Sequence, residues 1–132
     1  MIHGSCLCTA IRYQYDGDIT EISMCHCSMC RKAQGSAYVA ISPIDATRFR
    51  ITQGREHLKE YRAVPHKARV FCAHCGSPLY SARDDLPGVL RLRLGTVETP
   101  FHTDNAYHIY CDSRADWEFM ENRLPRYPAM KP

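Results

Sequence analysis

Three cysteines lie within six residues in the first quarter of the chain, and this spacing limits the fold more than any other feature of the sequence. Cys25, Cys27 and Cys30, called here the central trio, form a CxC pattern that overlaps a CxxC pattern. Thiols this close together are typical of a soft metal site or of disulfides in a small secreted fold. Three thiolates are one ligand short of a closed tetrahedral zinc site, so a fourth position would be open to water or a substrate thiol. The trio is therefore a candidate catalytic zinc centre.

Four more cysteines are paired at two distant points of the chain. Cys6 and Cys8 form a second CxC, and Cys72 and Cys75 form a second CxxC. Together they supply enough thiols to close one tetrahedral site, so the seven cysteines divide as four plus three. Two other partitions stay open on spacing alone. One is a closed site that borrows a thiol from the central trio, and the other is a set of disulfides.

Size, charge and the first residues of the chain limit the class of protein and its compartment. The chain has 132 residues, a length that predicts one domain over residues 1–132. Its formal charge of +3 is small. Its Arg and Lys residues form no basic tract, and no apolar run approaches the ~20 residues that span a bilayer. We therefore expect neither nucleic acid nor a membrane as a partner. The first residues lack the features of a signal peptide, which predicts a cytoplasmic protein with reduced cysteines.

Alternating and turn-forming residues predict how the central trio is held. Residues 10–15 alternate as a half-buried strand, and residues 19–24 form a second strand that delivers Cys25 at its end. Residues 28–33 can form a short helical turn that Gly35 stops. A thiol at the start of such a turn faces backbone N–H groups, which favour the thiolate.

Further strands are predicted in the middle of the chain. Residues 37–41 form an apolar strand that Pro43 ends. Residues 49–52 and 58–62 are predicted to pair with each other across a turn at Gln53 and Gly54.

A knuckle and an alternating strand complete the predicted architecture. Residues 68–71 run into the tight CxxC turn at Cys72 and Cys75. Residues 89–94 alternate, with leucines inward and with Arg91 and Arg93 outward on a wet face. A further strand and a short terminal helix are predicted at 107–110 and 112–120. The fold class is mainly β, with short antiparallel strands stapled by metal and few short helices.

With these residues in place, the chain resembles the family of glutathione-dependent formaldehyde-activating enzymes (GFA), which shares a domain with centromere protein V. The resemblance implies an Mss4-like fold of coiled antiparallel sheets and two zinc ions per chain. It also implies that one closed set of thiols holds a structural zinc and that the central trio holds a catalytic one. The implied structural ligands are Cys6, Cys8, Cys72 and Cys75. The segments that carry the resemblance are residues 4–8, 25–31, 71–76, 107–109 and 116–117.

Two departures from the family pattern bear on what can be carried over. The chain is short beside the characterised enzymes, which puts the segments that shape a glutathione pocket in question. Thr9 follows Cys8 where the family has glycine, a change that affects the turn.

The favoured function is a zinc-dependent carbon–sulfur lyase that acts on adducts of a small thiol, glutathione above all, with formaldehyde or another aldehyde. A metal-bound thiol is a thiolate at neutral pH, and a thiolate adds to an aldehyde carbon to give a hemithioacetal. The alternative from another class is a non-enzymatic zinc module that binds a protein partner. A third reading is metal storage or thiol redox sensing. The oligomeric state stays open.

Residues beside the trio are weaker candidates. His26 sits between two ligands, so its side chain is expected to project away from the metal. It is interpreted as a packed histidine or one that supports the ligands, and a direct role in the chemistry is the alternative. His108 is interpreted as isolated. Arg31 and Lys32 can either bind substrate carboxylates or form a solvated turn. Cys111 is interpreted as a small apolar residue at a strand end.

Overall fold

The computed structural model describes residues 1–118 and 124–132. Over these residues the chain is mainly β, as the sequence predicted, with ten strands, one α-helix and four 3₁₀ turns. The elements are β1 (Ile2–Ser5), β2 (Arg12–Tyr15), β3 (Ile22–Cys25), α1 (Ser28–Gln34), β4 (Val39–Asp45), β5 (Phe49–Gln53), β6 (Leu58–Val64), β7 (Lys67–Cys72), β8 (Pro78–Arg83), β9 (Val89–Arg93) and β10 (Ala106–Ile109). No helix in this part of the chain is long and apolar enough to cross a membrane.

The chain divides into two compact units, of which the first comprises Met1–Ile19 and Ser42–His102. Within it, β2 pairs antiparallel with both β1 and β5, and β8 pairs antiparallel with β7 and β9. Alternation along β2 places Tyr13 and Tyr15 in the core, as predicted. Leu79 and Leu92 are fully buried beside them, and each such side chain contributes about 1.5–3 kcal/mol.

The predicted pairing of residues 49–52 with 58–62 is wrong. β5 pairs with β2, whereas β6 pairs with β7. Gly54 is left-handed at φ +80°, and the 3₁₀ turn Arg55–His57 follows it. A Cβ at this position would collide with the carbonyl oxygen of Ala10. The glycine thus lets the chain pass close to another backbone and enter a different sheet, which a hairpin turn does not do.

Two strand predictions need smaller corrections. Pro43 does not end its strand, because β4 continues to Asp45 with Pro43 at an exposed position. Arg93 does not face solvent, since its side chain is buried and Nη1 donates hydrogen bonds to Ser81 Oγ (3.3 Å) and to the Arg91 carbonyl (3.2 Å). Hydrogen bonds in the interior therefore stabilise a guanidinium that the alternation assigned to water.

The second unit comprises Thr20–Ile41 and Thr103–Pro132. In it β3 pairs antiparallel with the start of β4 and parallel with β10. The parallel pair departs from the predicted antiparallel architecture. Cys111–Ser113 form a 3₁₀ turn where a helix over 112–120 was predicted, residues 114–118 are not helical, and positions 119 and 120 lie outside the described residues.

A C-terminal strap, residues 124–130, lies along the edge of β10 that β3 leaves free. His108 N–H donates to the Pro125 carbonyl (2.8 Å), and the His108 carbonyl accepts from Tyr127 N–H (3.0 Å). Tyr110 N–H donates to the Ala129 carbonyl (3.1 Å). The strap thus acts as an additional parallel strand, with a bridge between His108 and Arg126.

Candidate metal centres

The structure brings four cysteines of the first unit together, namely Cys6, Cys8, Cys72 and Cys75, called here the four-cysteine cluster. All four sulfur atoms lie within 4.8 Å of one another. Cys8 Sγ is 3.6 Å from Cys6 Sγ and 3.8 Å from Cys72 Sγ. Four sulfurs at the usual zinc–sulfur bond length of ~2.3 Å form a tetrahedron with edges of ~3.8 Å. The cluster therefore has the donor type and dimensions of a closed zinc site.

Two tight turns build this cluster. The predicted knuckle is present between β7 and β8, where Gly76 N–H donates to the Cys72 carbonyl (2.8 Å) with Gly76 at φ +79°. In the turn after β1, Thr9 N–H donates to the Cys6 carbonyl (3.1 Å) and Thr9 is left-handed at φ +64°. Thr9 therefore occupies a conformation that suits glycine, the residue expected there from the family pattern.

Two thiols of the cluster, Cys75 and Cys8, differ in acidity. Burial raises the pKa of Cys75, but hydrogen bonds with the side chain and backbone of Ser77, with the backbone of Cys8 and with the Cys72 thiol outweigh it and lower the pKa to about 5. For Cys8, the backbone of Ala10 lowers the pKa, whereas desolvation and the neighbouring thiols raise it to about 11. A bound cation would offset the cost of holding Cys8 as a thiolate beside that of Cys75.

The central trio is assembled within the second unit. Cys25 ends β3, Cys27 is the N-cap of α1, and Cys30 lies in that helix. Their sulfur atoms also lie within 4.8 Å of one another. Cys30 N–H donates to Cys27 Sγ (3.3 Å), and Gly35 ends the helix at φ +67°. Both the helical turn and its contact with a thiol follow the prediction from sequence.

The trio is one ligand short of a closed tetrahedral site and is not fully buried. Cys25 and Cys30 are buried, whereas Cys27 is partly exposed. Among residues 1–118 and 124–132, no fourth Cys, His, Asp or Glu joins the group. Three thiolates around a metal would leave one position for an exogenous ligand, and Cys27 marks the side from which it can approach.

We expect metal binding at the trio to weaken as the pH falls. Contacts with Cys27 and Cys30, together with burial, raise the pKa of Cys25, so this thiol is protonated near neutrality and metal binding must release its proton. Each proton released on metal binding lowers the apparent affinity for the metal about tenfold for every pH unit of acidification. The affinity should therefore fall at least ~100-fold between about pH 8 and pH 6. Competition with a chromophoric chelator at several pH values measures this change. A pH-independent affinity would contradict the protonated state of Cys25.

Two histidines form a buried pair beside the trio. His26 Nε2 and His108 Nδ1 are 2.8 Å apart, and the ring of Tyr38 packs against that of His26 with centroids 5.2 Å apart. Burial, followed by the charges of His108, Arg114 and Arg31, lowers the pKa of His26 to about 4. The interpretation of His108 as isolated is therefore wrong. The two histidines are 82 positions apart, and no local pattern signals that they meet.

Arg31, Lys32 and Cys111, the weaker candidates, lie in three different environments. Arg31 is half-buried, and its Nε donates to the His26 carbonyl (3.3 Å). Lys32 is exposed. Cys111 is buried outside both cysteine groups. All eight cysteines are free thiols in the structure.

The chain is thus a small mainly β protein with one four-thiol and one three-thiol group, each of which could hold a metal ion. A sequence model of the glutathione-dependent formaldehyde-activating enzymes matches residues 1–113. The chain belongs to this family, as the resemblance of its motifs predicted.

Two curated relatives and one solved structure are similar to the chain. The chain is 25% identical to a Halomonas elongata protein that is provisionally named a glutathione-dependent formaldehyde-activating enzyme, over 93% of this chain and 83% of that one. It is 33% identical to an uncharacterised lyase of Schizosaccharomyces pombe over 60% of this chain and 56% of that one. A crystal structure of a Rhodobacter sphaeroides protein is similar in fold, with a TM-score of 0.62 and 22% identity, over 74% of this chain and 89% of that chain.

Proposed function

We propose that this protein is a zinc-dependent carbon–sulfur lyase that makes and breaks adducts of a small thiol with formaldehyde or another aldehyde. The observation that carries the proposal is the incomplete ligand set of the central trio, with Cys27 partly exposed and no fourth ligand among the described residues. The names of the two curated relatives, one glutathione-dependent and one a lyase, support the substrate and the reaction class.

The two cysteine groups suit two different tasks. The four-cysteine cluster provides a complete ligand set and is assigned a structural zinc. The central trio is assigned a second zinc, which would hold an incoming thiol as its thiolate at neutral pH. The three cysteine thiolates donate negative charge to the site, which favours thiol capture over polarisation of the aldehyde oxygen.

The reaction needs only a thiol and an aldehyde. The thiol sulfur forms a bond to the carbonyl carbon, the π electrons move to oxygen, and the thiol proton ends on that oxygen. The reverse reaction breaks the carbon–sulfur bond. Arg31 lies beside the trio and can bind a carboxylate of a peptide thiol such as glutathione.

We expect the protein, loaded with two zinc ions, to accelerate the exchange of ¹³C-labelled formaldehyde between its hydrate and its glutathione adduct. Exchange NMR measures both directions of the reaction at equilibrium. The exchange rate above the uncatalysed background should rise in proportion to protein concentration and disappear when zinc is removed. Cysteine and 2-mercaptoethanol in place of glutathione report thiol selectivity. A protein with two bound zinc ions that accelerates exchange with none of these thiols would instead be a non-enzymatic binding module.

A further inference from the structure

A buried polar contact joins the segment between two trio ligands to β10. His26 lies between Cys25 and Cys27, and its Nε2 is 2.8 Å from His108 Nδ1. The side chains are 0% and 1% exposed, so water does not compete for this hydrogen bond. The contact is a direct bond between two rings whose centroids are 4.9 Å apart.

Residue 26 is held to β10 by its backbone as well. His26 N–H donates to the Ile109 carbonyl (3.0 Å), and Cys25 is opposite Ile109 in the parallel register. Two hydrogen bonds, one from the backbone and one from the side chain, thus fix the residue that separates the first two thiols. A twist of this segment would move Cys25 and Cys27 relative to each other.

His108 is itself firmly placed. Its N–H and carbonyl groups both bond to the C-terminal strap, at Pro125 and Tyr127, and β3 lies on the other side of β10. The ring of Tyr38 meets that of His108 edge-on, with centroids 6.0 Å apart. The partner that holds His26 is therefore fixed on both edges of its own strand.

The buried histidine pair contributes less to stability than apolar side chains could at the same positions. Nδ1 of His26 is buried and has no hydrogen-bond partner among the described residues, which costs about 1–3 kcal/mol. Apolar side chains of similar size would avoid that cost. What such a pair adds, in spite of its cost, is a defined geometry, because a hydrogen bond fixes the relative orientation of two side chains.

We propose that His108 is a positioning residue for the central trio, acting through its hydrogen bond to His26. The inference rests on the metal site of the proposed function and concerns which residues preorganise that site. The trio binds metal tightly only when the three sulfurs are held close together, and the histidine pair fixes the segment that carries two of them. Loss of an interaction that orients metal ligands typically lowers metal affinity by about 10–100-fold.

The test compares metal affinity at the two sites in the full chain. His108→Phe keeps a ring of similar size and removes the hydrogen bond, whereas His108→Asn places an amide near the position of Nδ1. His66→Phe, at an exposed histidine outside both groups, is the control. Zinc affinities come from chelator competition, the trio ion being the one lost in Cys27→Ser, and urea unfolding reports stability. His26→Phe removes the same bond from its other partner, which provides a second result if His108→Phe does not fold.

We expect His108→Phe to weaken the trio ion about 10–100-fold and leave the other ion unchanged, with affinity largely restored in His108→Asn and unaffected in His66→Phe. Unchanged trio affinity in His108→Phe, equal weakening of both ions, or no difference between Phe and Asn would each overturn the positioning role. A wild-type protein that binds only one zinc ion would overturn the proposed function and this inference together. Two ions in wild type with an insensitive His108 would overturn only the inference.

Discussion

Replacing Cys72 with serine should leave the chain largely unfolded, with both the metal and the core of the first unit lost. Cys72 is fully buried within that core and ends β7 at the knuckle. Structural zinc contributes about 10–16 kcal/mol in small zinc domains, which matches or exceeds the ~5–15 kcal/mol of net stability typical of a domain. A serine hydroxyl is a poor substitute for a thiolate ligand. Circular dichroism and gel filtration detect the loss of fold, and elemental analysis detects the loss of zinc.

Cys111→Ser is the matched control for this experiment. Cys111 is also buried but lies outside both cysteine groups, so its replacement should keep the fold and both zinc ions. A Cys72→Ser protein that unfolds at the wild-type temperature with two zinc ions bound would show that the four-cysteine cluster is not a structural metal site.

Cys27→Ser should have the opposite outcome, with the fold kept and activity lost. Cys27 is the partly exposed member of the trio and the N-cap of α1, where its sulfur accepts the Cys30 N–H. Serine is among the best N-cap residues, so its hydroxyl can take over that hydrogen bond while binding zinc poorly. Zinc content should fall from two ions to one. Because a metal contributes several kcal/mol to such a step and each ~1.4 kcal/mol is a factor of ten, the added exchange rate should fall by two to three orders of magnitude.

Cys27→Ala separates the two roles of this residue. It removes the proposed metal ligand and the cap together, so it should be as inactive as Cys27→Ser but less stable by about 1 kcal/mol. Thermal unfolding of the two variants gives that difference. Full exchange activity in a Cys27→Ser protein that holds a single zinc ion would mean that the chemistry does not take place at the trio.

Local patterns were sufficient to predict the elements that carry the thiols. The CxxC followed by Gly76 specified a knuckle because only a short turn with a left-handed residue brings two such thiols together. The helical turn of α1 and its end at Gly35 followed from the same kind of local reasoning. Alternation along β2 correctly assigned Tyr13 and Tyr15 to the core.

What sequence could not supply were contacts set by tertiary pairing. The hydrogen bond between His26 and His108 depends on a parallel register between β3 and β10, and the chain between those strands carries no signal for it. Arg93 alternated like a solvent-facing residue, yet Ser81 and a backbone carbonyl accept its hydrogen bonds in the interior. Gly54 was consistent with a hairpin, and only the proximity of Ala10 explains why the chain continues to another sheet.

The C-terminal strap also bears on where this domain is considered to end. The match to the family stops at Ser113, but backbone groups of His108 in β10, and of Tyr110 just after it, are bonded to Pro125, Tyr127 and Ala129. A chain that ended where the family match ends would leave these backbone groups without hydrogen-bond partners. An unpaired edge strand is a template for association between chains. Shortened versions of the protein would therefore be prone to aggregate for a reason unrelated to their cysteines.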